Sequence, residues 1–235
     1  MTIKKISLCQ NEKRVYNTIP RSLSSDYESS YDFAYPLSYI LALDCERIVY
    51  KMNEHNVDSS ICTILNVTFV SDNTISNADL SDYIAFNQND MRFVNVYLNP
   101  FVFNESDNEK KRKDLIDKIA EAIAIVIDED KNSLIHQICD EVYLMADDVE
   151  CVFLKKEMKK YDIEIRFKSS LNGYTATLYI LNKQNNRETS NEFMQKCTFA
   201  DLVYKINKVT VKNDKCIIHP KKGGFDKPII IDIGC

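Results

Sequence analysis

The residues of this 235-residue chain that could do chemistry are eight cysteines, three histidines and many carboxylates. No two cysteines lie closer than twelve positions, so neither a CxxC pair nor zinc-ribbon spacing forms. His136 and Cys139 stand at i, i+3, which is half a zinc site. DEDKNSLIHQIC, from Asp128, begins like a calcium loop with Asp128, Asp130 and Asn132. It lacks the glycine at position six and ends on Cys139 where a bidentate glutamate is required. No metal and no cofactor is expected. A Cys–His hydrolase assembled in space is the catalytic alternative, with no local signature around any thiol.

HPKKGGFDKP, residues 219–228, holds two of the four glycines. A phosphate loop places glycines before a helix N-terminus, whereas here lysines precede Gly223-Gly224 and Pro228 follows. The stretch reads as a hairpin turn that displays Phe225 to a partner.

The densest feature is acidic. Residues 128–150 hold eight carboxylates and one lysine, a balance of −7 against −5 for the whole chain. A helix over about 133–146 would bury Leu134, Ile135, Ile138, Val142 and Met145. His136, Asp140, Tyr143 and Asp147 would share the opposite face, with Asp148 beside them. An exposed tyrosine among acids suits a basic protein partner: the ring anchors while the carboxylates steer.

The elements around that helix set the fold class. Residues 1–31 read as an N-terminal extension and 32–235 as a single globular domain, with a sub-division near 148. Pro36 opens a helix with apolar spacing from Leu37 to Met52, and ICTILNVTFV and FVNVYL are strands. SNADLSDYIAF reads as a short helix capped by Ser76. Another helix follows Ser106, which has capping-box spacing to Glu109, and its KKRK run reads as a solvated face. DIEIRFKSS and YTATLYIL form a hairpin around Asn172-Gly173, taken as two positive-φ turn residues. A polar loop then leads to a helix begun by Thr198, and two last strand segments close the chain. The whole predicts an α+β protein, with mostly antiparallel sheets packed on four to five helices and a β-rich C-terminal part.

A net charge of −5 argues against a general nucleic-acid binder, which needs a basic field. The N-terminus lacks the apolar core of a signal peptide, and no apolar run is long enough for a membrane span. The composition points to a cytoplasmic, non-catalytic, protein-binding protein. Its sharpest form is an immunity or antitoxin-type inhibitor that masks a basic toxin domain. A viral or pathogen factor that binds a host protein has the same physics.

Overall fold

The computed structural model describes residues 1–9, 37–59, 61–70, 90–223 and 227–233. Among them are five α-helices and ten strands in three sheets, two of them antiparallel. This is the α+β architecture expected, with its strands concentrated in the C-terminal part. The chain divides into two compact units, Met1–Ala146 and Asp147–Cys235. The Pro36 and Ser76 helix starts and Phe225 lie outside the described residues.

In the first unit, β1 (Lys5–Cys9), β2 (Ile64–Val70) and β3 (Met91–Tyr97) form a parallel sheet in that order. Residues grouped by sequence with the N-terminal extension thus begin the sheet, and Ile3 and Ile6 are buried. α1 (Leu37–Glu54) and α3 (Asn108–Val126) pack on these strands. Parallel pairing needs crossover connections, and α1 lies between β1 and β2 in the chain. A six-residue helix, α2 (Pro100–Glu105), starts after Asn99, whose side chain accepts from the backbone N–H groups of Phe101 and Val102. α4 (Asn132–Met145) completes this unit.

Two local expectations are corrected here. The α3 cap is Asp107, whose carboxylate accepts from Lys110 N–H at 2.8 Å, and not Ser106. Ser106 is taken up by the preceding helix, where its hydroxyl donates to the Val102 carbonyl at 2.8 Å. Nor is KKRK a solvated face. Lys111 is buried with its ammonium 5.5 Å from the Phe103 ring centre, and Arg112 reaches into the helix interface.

That interface is built around a buried carboxylate. Asp44 on α1 is fully buried, and Arg47 Nη1 donates to it at 2.8 Å. From α3, Arg112 Nε and Nη2 donate to Asp44 at 2.7 and 3.0 Å. The same guanidinium donates to the α4 carbonyls of Tyr143 and Val142 at 3.0 and 3.1 Å. Arg112 therefore adds donors to two carbonyls in the last turn of α4, where the Val142 carbonyl also accepts from Ala146 N–H. One planar fork binds a carboxylate and two helix carbonyls, a geometry that lysine cannot reproduce.

In the second unit, β4 (Cys151–Glu157), β5 (Tyr161–Ser170), β6 (Gly173–Asn182) and β7 (Arg187–Cys197) form an antiparallel sheet in chain order. Ile163, Ile165 and Phe167 on β5, with Ala176, Leu178 and Ile180 on β6, alternate into the core. The β5–β6 turn differs from the expected type. The two loop residues are Leu171 and Asn172, and only Gly173 has positive φ, at 110°. Both positive-φ loop positions occur instead at Asn213 and Asp214, with φ 50° and 52°.

β7 replaces the expected polar loop. Its first six residues are exposed, so it carries no apolar alternation to announce a strand. α5 (Phe199–Lys205) follows with a full capping box between Thr198 and Asp201. β8 (Lys208–Lys212), β9 (Lys215–His219) and β10 (Ile229–Asp232) make the second antiparallel sheet, in the order β10-β9-β8. Lys156 on β4 donates to the Val209 carbonyl on β8 at 2.6 Å.

Candidate functional site

α4 combines a sharp apolar face with an acidic one. Ile135, Ile138, Cys139 and Val142 are buried. Cys139 is buried on this face, whereas Met145, expected there, is 45% exposed at the helix end.

On the outer face, His136 and Asp140 are both exposed. One turn further on stands Leu144, 77% exposed. It is the residue that sequence reasoning missed. The spacing 136, 140, 144 was legible on a helical wheel, yet attention to charge hid an apolar side chain at the third position.

Tyr143 faces α3 rather than open solvent. Its ring centre lies 5.3 Å from the Arg112 guanidinium and 5.6 Å from the Lys113 ammonium. Its hydroxyl makes a 3.4 Å contact with Glu109. Two cations on one aromatic ring hold the side chain to its own fold.

Lys113 also links the acids. It lies 3.5 Å from Asp140 and pairs closely with Asp117. Burial opposes its charge, but these two carboxylates outweigh it and hold the ammonium above its ordinary range. Asp140 keeps 58% of its side chain exposed despite that contact. Glu141 is 2.9 Å from Lys51. The acidic face is thus partly compensated, and His136, Asp140 and Leu144 remain its accessible core.

The other acids proposed from sequence belong to the second unit. Asp147 is exposed, and Asp148 is 82% exposed and 3.4 Å from Lys168.

Four thiols are shifted upward by burial. Burial pushes Cys139 up to about 12 and Cys216 up to about 11, and it drives Cys45 higher still. Cys197 shifts upward too, again through burial. A thiol nucleophile needs the opposite shift. His219, in turn, is engaged by Thr210, with 2.8 Å between Nε2 and the hydroxyl oxygen.

Among the described residues, no three His, Cys, Asp or Glu side chains converge as a metal site would require. A cleft of about 110 Å³ lies between β6, β7 and β10, lined by Leu178, Ile180, Thr189, Asn191 and Ile231 among others. Small-molecule pockets usually enclose about 300–1,000 Å³. No helix among the described residues is long and apolar enough to cross a membrane. The chain matches no protein-family model, no curated protein and no solved structure.

Proposed function

We propose that this is a non-catalytic binding protein that grips a basic protein through the outer face of α4. The observation that carries the proposal is Leu144, 77% exposed and one helical turn beyond the exposed carboxylate of Asp140. An aliphatic side chain held in water by a rigid helix supplies desolvation area on contact, about 25 cal/mol per Å² of apolar surface. Asp140 and His136 set the orientation around it. Surrounding contacts that exclude water concentrate binding energy at such an anchor.

In its sharpest form the protein is an immunity or antitoxin-type inhibitor, with a cationic toxin domain as target. A host protein of the same charge is the alternative partner. Either reading suits a reducing cytoplasm, where free buried thiols such as Cys45, Cys139 and Cys216 persist. The upward-shifted thiols give the hydrolase alternative no support.

The test is affinity capture from the native source with two baits, the wild-type chain and Leu144→Glu. A basic protein held by the first bait and lost from the second is the expected result. Retention on both baits, or recovery of only acidic proteins, would count against α4 as the binding face.

A further inference from the structure

The second unit carries a face of the opposite sign. Residues 205–222 contain six lysines and one aspartate. The register of β8, β9 and β10 arranges much of this charge in rows. Lys208 is opposite His219; Thr210 is opposite Ile217, which is opposite Ile230; Lys212 is opposite Lys215, which is opposite Asp232. Alternation sends Val209, Cys216, Ile218 and Ile231 inward, where all four are buried. The outward face is therefore a row of Thr210, Ile217 and Ile230 between two rows that carry cations.

Lys208, Lys212 and Lys215 are exposed, and Ile230 is 60% exposed at the end of the middle row. Asp232 faces Lys215 and moderates one corner. Close by in the chain, Tyr204 is 60% exposed with the Lys221 ammonium 5.4 Å from its ring centre.

Spacing selects the occupant. Successive rows lie two residues apart along each strand, about 6.6 Å, so the two cation rows are separated by roughly 13 Å. On an α-helix, residues at i, i+4 and i+8 share a face and are about 6 Å apart at each step. A helix running along the strands can thus set a carboxylate on the Lys208 row, an apolar side chain on Ile217 and Ile230, and a second carboxylate on Lys212 and Lys215. The face has no arginine, and Ile217 and Ile230 stand beside Thr210 at its centre, which suits an apolar side chain better than a phosphate backbone. We propose that the outward face of β8–β9–β10 is a docking surface for an acidic amphipathic helix of a partner protein.

The test is fluorescence anisotropy with the full chain and three labelled probes in low salt. The first is an 18-residue Ala/Gln helix bearing Glu at i and i+8 and Leu at i+4. The second has Ser in place of that Leu, and the third is a twelve-nucleotide oligothymidylate. The first probe should bind at least tenfold more tightly than the other two. Its affinity should fall at least tenfold in Lys208→Glu and in Ile230→Ser, both exposed positions whose folding circular dichroism would verify. No binding of the first probe, equal binding of the oligonucleotide, or an Ile230→Ser variant of wild-type affinity would overturn the proposal.

Discussion

Arg112 and Asp44 are joined across α3 and α1 by two hydrogen bonds of 2.7 and 3.0 Å, with the carboxylate fully buried. Because Arg112 also holds the last carbonyls of α4, three helices share one guanidinium. Replacing it with alanine leaves Arg47 as the remaining counter-charge to Asp44 and removes the side-chain donors to two last-turn carbonyls of α4. Loss of one partner of a buried pair costs about 3–5 kcal/mol, and Arg47 should keep the loss near about 3 kcal/mol. Urea denaturation of Arg112→Ala checks this value. Arg112→Lys should recover less than half of the loss, since an ammonium cannot make both contacts.

Leu144→Glu should separate binding from folding. The side chain is 77% exposed, so its replacement should alter stability by less than about 0.5 kcal/mol. Affinity for a captured basic partner should nevertheless fall by at least tenfold. Equal thermal midpoints together with unequal capture is the expected pair of results.

Gly173→Ala should destabilise the second unit by about 1–3 kcal/mol. The position has φ of 110°, and an added Cβ would come within 2.8 Å of the Cys197 carbonyl oxygen on β7. Both the backbone and the neighbouring strand oppose the change. Thermal unfolding followed by circular dichroism would measure it.

Alkaline pH should weaken the fold through the thiols. Unfolded cysteines titrate near about 8.5, whereas burial pushes Cys139 up to about 12 and Cys216 up to about 11. Between those values the native state keeps protons that the unfolded chain has lost, so stability falls as pH rises. Each thiol contributes at most about 1.4 kcal/mol per pH unit in that window. Urea midpoints measured from pH 8 to pH 11 should therefore decline, and less steeply in Cys139→Ala.

The legible parts of the fold are those whose signal is local. Alternation from Ile163 to Phe167 marks β5, and Thr198 with Asp201 marks the start of α5, without any knowledge of distant partners. The parallel pairing of β1 with β2 depends on residues more than fifty positions apart and leaves no local trace. β7 lacks a buried face along most of its length, so its composition resembles a loop. Asp44 and Arg47 stand between the apolar positions of α1, and nothing local marks them as buried. They are buried because Arg112, sixty-eight residues after Asp44, completes their charge. The acidic face of α4 was readable as a pattern. That Tyr143 packs against α3 was not, since the cations beside its ring come from another helix.

The bond from Lys156 to the Val209 carbonyl has a bearing on how this protein behaves at high concentration. β8 is an outer strand of its sheet, and an outer strand offers its free backbone groups as a template for another chain. Here a lysine side chain occupies one of those acceptors and sets a positive charge where an incoming strand would have to lie. Growth of the sheet through β8 would first have to displace that ammonium. A single side chain thus guards the edge against the stacking that leads to insoluble fibrils.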